Sequence, residues 1–209
     1  LFKQALEIEN YQVKTMLFLE VKPIPEDAAL VVIGGPKATF STAELAQLDA
    51  YVQRGGKLIV TSDPGPDYGL KGFLSGYGID LGDDIVVDTE DYLIEKNPLV
   101  PDVPFYLTHP ITENFTLPTV YPLVRSVNKG KEPKGLSITS LARSGEKSWA
   151  ASDVGSAEIG KYDYNPRLDQ KGPVSVAAVA ENRKETPKRG ASEPEPQTSP
   201  RPAAGSIVV

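Results

Sequence analysis

Three short stretches hold the residue types that could do chemistry. Thr61-Ser62-Asp63-Pro64-Gly65 follows the apolar run KLIV and precedes a helical pattern. In open α/β sheets, ligands and active sites gather at such carboxyl ends of strands. A hydrolase of this architecture would place its nucleophile there, on a strained turn between small residues. Ser62 and Asp63 are the candidates. Pro64 argues against them, because it fixes the backbone and removes an N–H that an oxyanion hole could use. The plainer expectation is that Asp63 caps the turn or the following helix. His109, the one histidine, stands in Thr108-His109-Pro110-Ile111-Thr112. As a general base it would need Ser62 or Asp63 within hydrogen-bond reach. A loop histidine that bonds to backbone and orders its loop is the simpler reading. Gly34-Gly35-Pro36 follows another apolar run. A dinucleotide fingerprint needs G-x-G-x-x-G leading straight into a helix. Here Pro36 and Lys37 intervene, so a turn is expected, with Gly35 and Pro36 available to line a cleft.

Composition removes several other chemistries. There is no cysteine, hence no thiol nucleophile, disulfide or thiolate metal site. Asp83, Asp84, Asp88, Glu90 and Asp91 form an acidic run, but their spacing matches no calcium loop. A solvated acidic edge is expected, with no metal and no cofactor. The formal net charge of -6 lacks the clustered basic face of a nucleic-acid binder. No apolar run is long enough to span a bilayer.

The elements that must position these residues alternate between strand and helix. LFKQALEIEN has helical spacing through Phe2, Ala5, Leu6 and Glu9, with Asn10 as a stop. YQVKTMLFLE and ALVVIGG read as strands, the second as one buried on both faces. Ser41 and Glu44 make a capping box, S-x-x-E. Leu45, Leu48, Tyr51 and Val52 give the helix behind it an apolar stripe, and Gly55-Gly56 ends it. KLIVTS is the next strand. Leu70, Phe73, Leu74 and Tyr77 mark a second helix, stopped by Gly78. IDLGDDIVVD suggests a short strand or a hairpin pair around Gly82-Asp83, and residues 90–118 a long ordered loop. TVYPLVRSV, GLSITSLA and GPVSVAAVAE are further strand candidates, with Trp149 closing the core among them. This pattern predicts an α/β fold with a three-layer, flavodoxin-like or glutamine-amidotransferase-like, mostly parallel sheet. The main domain is expected over 1–181, with a terminal strand of the same domain at 203–209. Residues 182–202 hold little that could be buried and are expected to be a disordered insertion.

The ordered series ENYQVKTMLFL, IPEDAALVVIGGPK and FSTAELAQLDAYVQRGGKLIVTSDPG resembles the auxiliary-component domain of ABC-type transport systems, the family of the gliding-motility protein GldG. YGIDLGDDIVVD, HPITENF, YPLVRSV and GPVSVAAVAE match it in the same order, within the wider class I glutamine-amidotransferase-like fold group. The resemblance implies an extracytoplasmic, periplasmic domain at a bacterial inner or cell membrane. It would be held by membrane segments outside this sequence, beside ABC permease and ATPase subunits. It implies no catalytic residue. The family opens with a strand that this sequence does not contain. The expected sheet therefore lacks its first strand, and VKTMLF and ALVVIG would flank a slot that a second copy could fill as a homodimer. A degenerate amidotransferase-like or esterase-like hydrolase, and a small-ligand (sugar) sensor with an aromatic pocket at the strand ends, are the alternatives.

Overall fold

A computed structural model describes residues 2–16, 23–90, 96–183 and 205–209. Where local signals are strong, the elements follow them. α1 (Phe2–Ile8) stops before Asn10, which turns into the left-handed region at φ 65°. Residues 11–16, read as the start of a strand, are irregular, and the remainder of that strand, from Leu17, lies outside the described residues. β1 (Leu30–Gly34) leads to α2 (Thr42–Gln53). The capping box is closed in both directions: Glu44 N–H donates to Ser41 Oγ at 3.3 Å, and Ser41 N–H to Glu44 Oε2 at 2.7 Å. Gly55, at φ 99°, ends that helix in a conformation that side chains resist. β2 (Lys57–Thr61) and α3 (Leu70–Gly76) complete the first half.

The second half is made of short strands. They are β3 (Ile79–Leu81), β4 (Ile85–Val87), β5 (Asp102–Val103), β6 (Phe105–Tyr106), β7 (Thr119–Val120) and β8 (Val127–Lys129). β9 (Leu136–Arg143), β10 (Trp149–Ala151), α4 (Val154–Glu158), β11 (Gln170–Lys171), β12 (Ser175–Asn182) and β13 (Ser206–Val208) follow. Three expectations change here. β3 and β4 are not a hairpin: β3 pairs with β8 and β4 with β10. The stretch read as one long loop contains β5 and β6, and β6 joins the main sheet through β9. TVYPLVRSV is not one strand, because β7 and the start of β8 flank an irregular turn with Leu123 at φ 51°.

The main sheet runs β1-β2-β13-β12-β9-β6. β1, β2 and β13 are parallel, as strand–helix alternation predicts, and pairing becomes antiparallel from β12 onward. The last strand in sequence thus lies inside the sheet, between β2 and β12. Of the expected insertion, Asn182 closes β12 and Arg183 bonds to Gly135 O at 2.8 Å; residues 184–202 lie outside the described residues. β1 was expected to be buried on both faces, yet only Ile33 is buried and Val32 is exposed.

The main core joins Leu48, Tyr51 and Val52 of α2, Leu70 and Leu74 of α3, Leu58 and Val60 of β2, and Ile207 of β13. A second core explains why β4 and β10 are buried at every position. Ile85, Val87, Trp149 and Ala151 pack on one side of their ladder, and Val86 and Ala150 on the other with Val103, Ala142, Val174 and Val176. Trp149 therefore does close a core in the second half.

The α2–β2 junction is tightly packed. The Tyr51 hydroxyl lies 3.1 Å from Ala28 O and accepts the Lys57 N–H at 3.2 Å. A Cβ on Gly56 would sit 2.4 Å from the Tyr51 ring. A buried ring has nowhere to retreat in a packed core. Gly56→Ala should therefore lower stability by about 2 kcal/mol, as overpacking does, read as a lower urea midpoint. A midpoint equal to that of the parent would mean that Tyr51 is free to move.

Candidate functional site

The carboxyl ends of β1 and β2 bring Gly35, Pro36, Ser62 and Asp63 to one place. Gly35, at φ 52°, donates its N–H to Thr61 Oγ1 at 3.0 Å, locking the two strand ends together. Lys37 Nζ lies 3.2 Å from Asp63 Oδ2 across the mouth. Both side chains are well exposed, so this pair contributes little to stability. Asp63 does not cap α3, contrary to the sequence reading. Asp67 holds that helix start instead, its Oδ2 accepting the Lys71 N–H at 2.8 Å.

Beneath this surface lies the residue that sequence reasoning missed. Arg125 is 1% exposed. Its Nε donates to Gly82 O at 2.7 Å. Nη1 donates to Ser62 Oγ at 3.3 Å and Asp63 O at 3.1 Å, and Nη2 to Gly65 O at 3.3 Å. One planar fork thus ties the loop after β2 to the loop after β3. Asp83 stands 3.6 Å from Nη2 and also pairs with Lys71. The Lys71 hydrogen bond, and then the charges of Lys71 and Arg125, hold the Asp83 carboxyl below its usual range. A signal existed in YPLVRSV: a lone arginine among apolar residues must find acceptors if its neighbours are buried.

His109 is elsewhere. It is 8% exposed; its Nε2 lies 3.2 Å from Glu181 Oε1, and its Nδ1 accepts the Ile111 N–H at 3.2 Å. The accepted N–H makes Nδ1 the unprotonated nitrogen, so Nε2–H donates to Glu181. Glu181 pairs with Ser206, which pairs with Lys57, the first residue of β2. Ser62 follows the last residue of β2, roughly 16 Å further along the strand. Ser62 and His109 therefore occupy opposite ends of the sheet and cannot share a proton. His109 orders its loop, as the simpler reading expected.

The acidic run is also dispersed. Asp83 and Glu90 are exposed, as a solvated edge predicts, but Asp88 is fully buried. Asp84 accepts from Ser126 N–H at 2.7 Å and Ser126 Oγ at 2.6 Å, while Glu90 pairs with Lys147. Asp91 lies outside the described residues. Among the described residues no group of carboxylates and histidine converges as a metal site would require. A groove of about 470 Å³ does carry aromatic side chains, Trp149, Tyr162 and Tyr164. It opens beside β10 and α4, and none of Gly35, Pro36, Ser62 and Asp63 lines it.

The parallel strand ends thus form a surface braced from beneath by Arg125. Residues 2–209 match the family described as ABC-type uncharacterized transport system. The chain belongs to that family. None of the curated proteins matches it. Among solved structures, the mmIFT52 N-terminal domain is similar in fold, with a TM-score of 0.61 at 17% identity over 98% of this chain and 75% of that one. The family makes the chain an auxiliary component of a transport system. Among the described residues no helix is long and apolar enough to cross a membrane.

Arg125→Met should lower stability by about 3 kcal/mol, since it strands several carbonyls that have lost their donor. Arg125→Lys should restore little of this, because an ammonium cannot reach both loops as a fork does. Urea denaturation of both variants checks the claim, and a lysine variant as stable as the parent would show that charge alone suffices.

Proposed function

We propose that this chain is a non-enzymatic accessory domain of an ABC transport complex, which offers the surface of Gly35, Pro36, Ser62 and Asp63 to a partner subunit or cargo. The observation that carries this reading is the disposition of the would-be catalytic groups. The Ser62 hydroxyl accepts from Arg125, and His109 is bonded to Glu181 at the other end of the sheet. Serine catalysis needs the base on the hydroxyl. On this reading the partner is the permease, with its ATPase, and the domain lies on the extracytoplasmic side, carried by membrane segments outside this sequence. Membership of an ABC-type transport family supports the association with a transporter.

Binding to the purified permease–ATPase complex in detergent tests the proposal. Asp63→Lys and Lys37→Glu should each weaken binding about tenfold, the loss of one good contact. Ser62→Ala and His109→Ala should leave hydrolysis of an activated ester at the buffer rate. A saturable esterase that either alanine variant abolishes would replace this reading with the hydrolase one, and unchanged permease affinity in both charge variants would remove the strand-end surface from it.

A further inference from the structure

The described surface has two concentrations of exposed apolar side chains, and the one at Ile159, Tyr164 and Leu168 is interleaved with Lys161, Asp163 and Arg167. Of eleven large hydrophobics that are exposed, four fall within residues 105–117: Phe105 at 43%, Ile111 at 53%, Phe115 at 44% and Leu117 at 71%. Leu123 is also exposed but sits beside Leu99, at the far end of the β5–β7 ladder. Ile111, Phe115 and Leu117 belong to one lobe, and Phe105 borders it on β6 with its side chain on the face opposite that of Tyr106. The Phe115 ring meets the Tyr106 ring edge-on at 4.6 Å, and the Tyr106 hydroxyl bonds to Thr119. Thr112 Oγ1 donates to Leu107 O at 2.5 Å, and Phe115 N–H to Thr112 O at 3.0 Å. His109 fastens the base of the lobe to Glu181 on β12. The lobe is therefore a held shape that shows apolar side chains to solvent.

We infer that this lobe seats on the uncharged interfacial layer of a lipid bilayer, an inference that rests on the accessory-domain reading and names a second surface for it. Charge argues for that occupant. In a chain with 24% charged residues, residues 105–117 contain no Lys or Arg and one carboxylate, Glu113. Attraction to anionic headgroups depends on basic clusters, and there is none here. Protein interfaces concentrate their energy in Trp, Tyr and Arg, with Leu under-represented. The exposed residues of this lobe are instead Phe, Ile and Leu, side chains that partition into an apolar layer. Insertion of such groups is driven by buried apolar area and is insensitive to salt.

Flotation of the 209-residue chain with phosphatidylcholine vesicles tests this. The chain should float with neutral vesicles equally well at roughly 0.05 and 0.5 M salt. Ile111→Ser combined with Leu117→Ser should reduce the bound fraction about tenfold without moving the melting temperature, because both side chains are exposed. Failure to float, binding that needs anionic lipid and is lost in salt, or full binding by the serine variant would each overturn the inference. Permease affinity in detergent reports on the accessory reading without any bilayer, so either idea can fail while the other stands.

Discussion

A buried guanidinium is the constraint from which the site follows. Removing a cation from water is costly unless its donors find acceptors in good geometry. Arg125 meets that condition by drawing in Gly82 O, Ser62 Oγ, Asp63 O and Gly65 O at once. The loop after β2 cannot move without stranding the charge, and neither can the turn after β3. That mutual requirement turns two irregular segments into a defined rim around the strand ends. It also engages the Ser62 hydroxyl as an acceptor. The Lys71–Asp83 pair and the Lys37–Asp63 pair are exposed and add charge to the rim more than rigidity.

The sheet that carries the rim depends on contacts between distant parts of the chain. β13 inserts between β2 and β12, so the parallel half and the antiparallel half of the sheet meet on the last strand. Ile207 is fully buried there, in the same core as α2 and α3. Its neighbour Gly205 passes close to the α2 backbone, where a Cβ would lie 2.1 Å from Val52 O. The second core, around β4 and β10, joins the first through β9 and β12, whose Ala142 and Val176 pack in it.

Local chemistry made much of this legible in the sequence. The Ser41–Glu44 capping box, the Gly55 helix stop and the stripe of Leu48, Tyr51 and Val52 lie within a few residues of their partners, so spacing alone reveals them. That Gly35, Pro36, Ser62 and Asp63 stand at the carboxyl ends of β1 and β2 is also legible, because strand direction is a local property, whereas the position of His109 at the other end is not. What escaped was non-local. IDLGDDIVVD reads as a short strand or a hairpin pair, but its two strands each pair with strands some tens of residues away. Asp88 reads as surface and is buried, because β4 is covered on both faces. Arg125 is about 60 residues from the loop it holds, and nothing in its neighbourhood names those partners.

Amide hydrogen exchange in Arg125→Met, far below the melting temperature, tests this account most directly. If the guanidinium holds the rim, the amides of Gly35 and Gly82, which donate to Thr61 O and Ser126 O, should exchange at least about tenfold faster than in the parent, while those of α2 and the centre of β2 keep their rates. Unchanged rates at the rim, or a uniform acceleration across the whole sheet, would contradict it.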